Sequence, residues 1–499
     1  MEEVDVQPVS LDQLATVLSP DRVARLDASA VRARACFGDR VVWHVNATAH
    51  GGGVAEMLQT LLAYGKGAGI ENRWLVLDGD LNFFRITKRL HNLLHGSPGD
   101  KGSLGREEHS HYQAVLGDNL EQLERRVSPG DIVMLHDPQT AGLADGVRRL
   151  GARVIWRCHV GRDVPDALSR AGWAFLRPYL AHVERLVFSR RVYAPDWVDD
   201  SRLVIIPPSI DPFSVKNMSL SSDEVASVLT TVGLLADDRP TGPVGFTRRN
   251  GTPGTVRAAG ATGGLLLETF PPPRRVPLVV QVSRWDRLKD MAGVMTGFTR
   301  MVAMGLAGEA HLMLAGPEVA GVGDDPEGAE VLSECRELWS RLPADLRARV
   351  HLASLPMDDV DENAIIVNAL QRHASVVVQK SLVEGFGLTV TEPMWKGRAV
   401  VASRVGGIQD QITHEVNGLL LDDPVDLALF ANLMGRVLAD EDLARRLGAA
   451  AHTRVLRDFV GDRHLARYVE LFAGLVGDRD NPGHDESSAA SPADSAPVR

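Results

Sequence analysis

Glu384 and Glu392 stand eight positions apart in SLVEGFGLTVTE, residues 381–392, with two glycines between them. Paired carboxylates serve acid–base chemistry on glycosidic bonds, and a glycine turn that opens a helix is a seat for phosphate. The spacing helps to separate these readings. At a helical rise of about 1.5 Å per residue the intervening segment spans ~10 Å. Two carboxylates that cooperate on one glycosidic bond lie about 5–9.5 Å apart and face it. Glu384 and Glu392 more naturally flank an elongated ligand. A carboxylate accepts two hydroxyl hydrogen bonds, so each can hold a sugar diol. Gly385 and Gly387 free the backbone around Phe386, and the N–H groups up to Leu388 can then point at phosphate oxygens. A sugar–diphosphate–ribose ligand fits this stretch. A plain charged helix start would also place a glutamate here.

Other residues with chemistry to offer also fall where strands should end. Arg284 follows the run VVQVS, and Lys289 comes five positions later in RWDRLK. A planar fork and a compact charge together can clamp a diphosphate and stabilise its departure without a metal. In VVWHVNATAHGGGVAEM (residues 41–57), Gly52 and Gly53 sit between a strand and a helix, where backbone can approach a ligand closely. A simple strand–helix turn would look the same. Asn46, Asp80, Asp137 and His159 end further apolar runs. Asp78-Gly79-Asp80 and Asp359-Val360-Asp361 match the three-residue D-x-D metal pattern, which is too short to carry weight, and no metal is expected. Asp78 and Asp80 also keep an NAD-dependent enzyme open as an alternative, although no G-x-G-x-x-G or P-loop pattern occurs.

These residues need a scaffold that gathers strand ends. Near-continuous Val, Ile and Leu runs recur in two sets: residues 41–47, 74–80, 131–138, 153–159, 185–189 and 203–211, then 278–283, 310–316, 349–354, 375–381, 399–403 and 418–423. Such runs suit strands buried on both faces of a parallel sheet, and helical patterns alternate with them. Six runs per set predict two doubly wound α/β domains, with ligands at the carboxyl ends of the strands. The expected organisation is residues 1–212, then 213–457. A Gly/Pro/Thr-rich insertion at 239–276 is expected to be flexible, a helix at about 458–476 to return to the first domain, and the tail 477–499 to be disordered.

Composition narrows the class. The protein's 499 residues carry a net charge of −11, which argues against nucleic acid or an anionic membrane as main partner. Its three cysteines are far apart and show no metal spacing, as suits a reducing compartment. The acidic start MEEVDV has no signal-peptide pattern, and no apolar run approaches a membrane span. A cytoplasmic enzyme is expected.

Three elements together resemble a known family. R-W-D-x-x-K at 284–289, E-G-F-G-L-x-x-x-E at 384–392 and R-V-G-G-I-Q-D-Q-I-x-x-x-x-N-G-L-L-L at 404–421 are similar to the retaining GT-B glycosyltransferases. H-V-N-A-T-A-H-G-G-G-V-A-E (44–56), D-G-D-x-x-F-F-x-x-T-K-x-x-H-N-x-L-x-G (78–96), H-D-P-Q (136–139) and W-R-C-H (156–159) resemble the trehalose glycosyltransferring synthases and, in the same places, the retaining trehalose phosphorylases. The resemblance covers roughly residues 40–475 and excludes the insertion. It implies a GT-B fold, with two Rossmann-like domains facing a central cleft. It implies transfer of glucose from a nucleotide sugar, UDP- or ADP-glucose, to glucose, with retention and without a cofactor. A phosphorylase using inorganic phosphate, or another nucleotide-sugar-dependent glucosyltransferase, is the alternative. Arg284 and Lys289 would neutralise the leaving diphosphate, Glu384 bind donor-sugar hydroxyls and Glu392 the ribose. Residues Gly385, Phe386, Gly387 and Leu388 would hold phosphate and sugar, and Gly52 and Gly53 approach the donor. His159 would assist an oxocarbenium-like state through its carbonyl. Asp80, Asp137 and Gln139 would lie toward the acceptor. A homodimer is the assembly the resemblance implies.

Overall fold

The computed structural model describes residues 1–49, 53–236, 244–259, 264–319 and 327–480, with side chains through 476. Two seven-stranded sheets organise it. The first contains β1 (Glu2–Val4), β2 (Val42–Asn46), β3 (Asn72–Val76), β4 (Ile132–His136), β5 (Arg153–Cys158), β6 (Arg185–Phe188) and β7 (Leu203–Ile205), in the order β1-β3-β2-β4-β5-β6-β7. After a separate hairpin of β8 (Val244–Thr247) and β9 (Pro253–Val256), the second contains β10 (Leu266–Leu267), β11 (Leu278–Val282), β12 (His311–Pro317), β13 (Val350–Leu355), β14 (Val376–Gln379), β15 (Val400–Ser403) and β16 (Leu419–Leu421), ordered β10-β13-β12-β11-β14-β15-β16. The six expected runs per set are the parallel strands. The seventh in each sheet is a short antiparallel edge strand, β1 on β3 and β10 on β13. Both are too short for a periodic signal to show in the sequence.

Strand order reverses between β2 and β4 in one sheet and between β11 and β14 in the other. A crevice opens at such a switch point because the connections leave toward opposite sides. His136 and Asp137 end β4, and Arg284 and the EGFG turn follow β11 and β14. The arrangement is a GT-B fold with both switch points on one cleft.

Each sheet is covered on both faces. Val45, Leu75, Leu135 and Trp156 point into one core of the first sheet, and Val42, Trp74, Met134 and Ile155 into the other. The last helix, Gly461–Asp480, completes that second core. Its Tyr468, Leu471, Phe472 and Leu475 pack with Phe37, Met57, Leu58 and Leu61. Arg22 Nε donates to Asp462 Oδ2 at 2.9 Å, and Arg153 Nη2 to the Leu475 carbonyl at 2.7 Å. This helix is thereby tied to the first sheet.

The Gly/Pro-rich insertion differs from the flexible segment expected. Within its described residues β8 and β9 form an antiparallel hairpin about Asn250-Gly251, with Gly251 at φ +81°. Three arginines pin it to one helix start, at Asp358–Glu362. Arg248 Nη1 reaches Asp359 Oδ1 at 2.6 Å, Arg249 Nε reaches Asp361 Oδ1 at 2.6 Å, and Arg257 Nε reaches Glu362 Oε2 at 2.6 Å. The expected disordered tail falls outside the described residues from 481 onward.

Candidate active site

The EGFG turn is held from three sides. Gly387 adopts φ +86° and caps the helix Leu388–Trp395. Tyr193, from the first lobe, donates its hydroxyl to the Gly385 carbonyl at 2.6 Å. A Cβ on Gly406 would collide with the Glu384 carbonyl, and one on Gly407 with the Phe386 backbone. Across the cleft a Cβ on Gly385 would lie 2.6 Å from the His159 carbonyl oxygen. Glycine at 385 is what lets the end of β5 approach the turn.

Glu384 is 7% exposed, and its Oε2 accepts from Lys289 Nζ at 2.6 Å and from Ser381 Oγ at 3.1 Å. Lys289 reaches it because Asp286 caps a single 3-10 turn, Arg287–Lys289, through the Leu288 amide at 2.8 Å. Asp286 is buried and gathers cations from both lobes: Arg284 Nη2 at 3.6 Å and Lys88 Nζ, on the helix Leu81–Leu94, at 3.8 Å. Although burial opposes it, Arg284, Lys88 and Lys289 hold this carboxyl below the usual carboxylate range. His95 leans in from the same helix with Nδ1 2.9 Å from the Gly161 carbonyl, and burial lowers its pKa to about 4.

At the end of β4 the His159 amide donates to Asp137 Oδ1 at 2.7 Å. Asp137 has a left-handed backbone, φ +63°, and burial raises its carboxyl to about 7. His44, His136 and His159 form a stacked row across β2, β4 and β5. His44 Nδ1 lies 3.1 Å from His136 Nε2, and His136 Nδ1 lies 3.2 Å from His159 Nε2. Burial keeps all three imidazoles neutral. Among the described residues Gln139 Oε1 and Ser189 Oγ are buried without a hydrogen-bond partner, and both residues line the cleft.

Glu392 is 3% exposed on the helix Leu388–Trp395. Its Oε2 accepts from Gln371 Nε2 at 3.3 Å, and its Oε1 lies 3.4 Å from Lys216 Nζ. The cleft has a volume of ≈ 1570 Å³. A single small-molecule site takes about 300–1,000 Å³, so this cleft has room for more than one small ligand.

The structure therefore brings His159, Arg284, Lys289, Glu384, Gly385, Phe386, Gly387, Leu388, Glu392, Asp137 and Gln139 to one cleft. Gly53 joins them, its Cβ direction 3.1 Å from Leu388 Cδ1. Gly52 lies outside the described residues. Asp80 stands apart as a correction to the expected acceptor set. It is exposed, caps the helix Leu81–Leu94 through the Phe83 amide at 2.7 Å and pairs with His111. A carboxylate at a helix N-cap has its geometry fixed by the backbone, and this one does not line the cleft. His95, Tyr193 and Lys216 escaped the sequence reading, whereas Lys88 and Asp286 lie within the quoted motifs but had no role assigned.

Comparison with known proteins agrees with this geometry. The family model for the trehalose synthase N-terminal domain matches residues 44–195, and that for glycosyl transferases group 1 matches 361–454. A trehalose synthase from Rubrobacter xylanophilus is 35% identical over 442 residues, spanning 88% of this chain and 91% of the relative. The chain belongs to the trehalose synthase family. A trehalose phosphorylase from Grifola frondosa is 23% identical over 82% of the chain and 54% of that protein. A solved α,α-trehalose-phosphate synthase (UDP-forming) from Burkholderia vietnamiensis superposes with a TM-score of 0.62 at 16% identity, covering 88% and 98% of the two chains. It shares the GT-B fold with this trehalose synthase family member. Among the described residues no helix is long and apolar enough to cross a membrane.

Proposed function

We propose that the chain transfers glucose from a nucleoside-diphosphate glucose to free glucose, with retention, and forms α,α-trehalose. The observation that carries this reading is the junction of the two switch points. Lys289 and Glu384 form an ion pair on one side, and the His159 carbonyl abuts Gly385 on the other. A glucosyl group held there has cations behind its leaving phosphate and a carbonyl dipole near its anomeric carbon. Family membership supplies the product class, and the Burkholderia neighbour is named as UDP-forming.

In the step itself the anomeric C1–O bond to phosphate breaks and a C1–O bond to the acceptor hydroxyl forms. The acceptor proton passes to the departing phosphate oxygen. Arg284 and Lys289 stabilise the charge that develops on the diphosphate. Glu384 accepts from donor-sugar hydroxyls, and Asp137 and Gln139 orient the acceptor. Departure and attack share one face of the sugar, so the α configuration is retained. No carboxylate is assigned to the far face, where a covalent mechanism would need a nucleophile. Time-resolved proton NMR on α-linked UDP- and ADP-glucose with glucose tests this. The expected product is the α,α-1,1 disaccharide; a β-linked product or a trapped glycosyl–enzyme adduct rejects the mechanism.

No metal takes part in this proposal, since Arg284 and Lys289 stand where a divalent ion would otherwise neutralise the diphosphate. Turnover is expected to persist in excess EDTA. Loss restored by magnesium would refute that assignment.

The phosphorylase reading differs at Glu392, which needs a ribose to act. Glu392→Ala is expected to raise the KM for the nucleotide donor by about 10-fold or more, since a charged hydrogen bond contributes about 1.5–3 kcal/mol. If the donor KM stays at the wild-type value while inorganic phosphate releases glucose from trehalose, the phosphorylase reading replaces the synthase one.

A further inference from the structure

Lys216 lies on the segment that leads from β7 toward the second sheet, in I-D-P-F-S-V-K-N. That segment is built into the second lobe. Asn368 Nδ2 donates to the Val215 carbonyl at 3.0 Å and to the Met218 carbonyl at 2.9 Å, and Lys396 Nζ donates to Asn217 Oδ1 at 3.0 Å. From this fixed base the Lys216 ammonium reaches two carboxylates on opposite lobes. Nζ is 2.6 Å from Glu56 Oε1, in the first turn of the helix Gly53–Gly67, and 3.4 Å from Glu392 Oε1.

Glu392 needs such a partner. A carboxylate buried this deeply needs a cation or hydrogen-bond donors beside its oxygens. Gln371 fixes one oxygen, and its own carbonyl accepts from Lys396 Nζ at 2.7 Å, so the amide cannot flip freely. Lys216 fixes the other oxygen. With both oxygens tethered, the lone pairs left over have set directions, as recognition of a vicinal diol requires.

We infer that Lys216 is a positioning residue, which keeps Glu392 aimed at the two hydroxyls of a nucleotide ribose, and that Glu56 holds Lys216 in place from the opposite lobe. The inference rests on the ribose reading of Glu392. It adds a residue outside the recognised motifs and makes the ribose seat depend on both lobes at once.

Calorimetry on the full chain tests it. UDP, ADP and GDP are titrated first, and the tightest binder is then compared with its 2′,3′-dideoxy analogue. The wild-type protein is expected to prefer the ribose form at least 10-fold. Lys216→Met and Glu392→Gln should each bring that ratio within about 2-fold of unity, while Lys216→Arg retains most of it. Affinity for inorganic pyrophosphate, which has no ribose, should stay within 2-fold in Lys216→Met. If Lys216→Met does not fold, Glu56→Gln carries the test, with an expected fall in the ratio of at least 3-fold. A ratio unchanged in Lys216→Met (or, where that variant does not fold, in Glu56→Gln), or a parallel loss of pyrophosphate binding, overturns the inference. A wild-type ratio of one, or no binding of any of the three nucleotides, instead removes the ribose reading beneath it.

Discussion

Replacing Lys289 with alanine is expected to lower kcat by about 30- to 1,000-fold. Removing one donor aimed at transition-state charge costs about 2–4 kcal/mol, and each 1.36 kcal/mol is tenfold in rate. The ammonium is placed by a short but determined route. Asp286 caps the turn that carries it, and Asp290, left-handed at φ +50°, starts the next helix through the Gly293 amide at 3.0 Å. Lys289 therefore cannot be replaced by a neighbour sliding along the chain. Lys289→Arg should recover only part of the rate, because a planar fork does not reproduce a compact charge beside Glu384. Steady-state kinetics with saturating donor and acceptor, on variants whose thermal midpoints match wild type, check this. A kcat for Lys289→Ala within 3-fold of wild type removes the residue from the leaving-group role.

The second large effect is expected at its partner. Glu384→Gln should lower kcat by about 10- to 150-fold, from the loss of a charged acceptor worth about 1.5–3 kcal/mol. Lys289 and Ser381 both bond to Oε2, and among the described residues no hydrogen bond goes to Oε1. The free oxygen is the one assigned to the sugar. The amide keeps the shape but turns an acceptor into a donor on one side. If the NH₂ faces Lys289 the pair repels; if it faces the sugar the hydroxyl contact is lost. Side chains in direct contact are not additive, so the Lys289→Ala/Glu384→Gln double variant should lose less than the product of the two single losses. Full multiplicative loss in that cycle would show the two groups acting independently, against the geometry.

The two sheets were legible because strands buried on both faces write themselves as unbroken Val, Ile and Leu runs. The edge strands were not, since Leu266–Leu267 is two residues with no period to detect. The hairpin in the insertion left a signal that composition masked. Asn250-Gly251 is a strong hairpin dipeptide, but β8 and β9 around it contain glycine, proline and threonine rather than an apolar run. At the site the motif residues on the second lobe were readable, because turn glycines, a helix start and spaced carboxylates constrain one another locally. Lys216, Tyr193 and His95 were not. Each meets its partners across a gap in sequence that no local pattern spans: Lys216 is 160 positions from Glu56. Asp80 shows the converse. A strand end followed by an aspartate reads equally well as a ligand residue and as a helix cap, and only the position of the helix decides.

The last helix, Gly461–Asp480, gives the order of synthesis a physical meaning. Tyr468, Leu471, Phe472 and Leu475 supply part of the apolar face over the first sheet. A ribosome that has delivered residues 1–460 has made every strand of both sheets, yet Phe37, Met57 and Leu61 still face water on one side. Each such side chain left uncovered forgoes about 1.5–3 kcal/mol. The second lobe has its own cores and can close during translation, whereas the first must wait for a segment that emerges after the second. The lobe made first is thus finished last, and during that delay its open face is the part of the nascent chain most exposed to association with other unfolded chains.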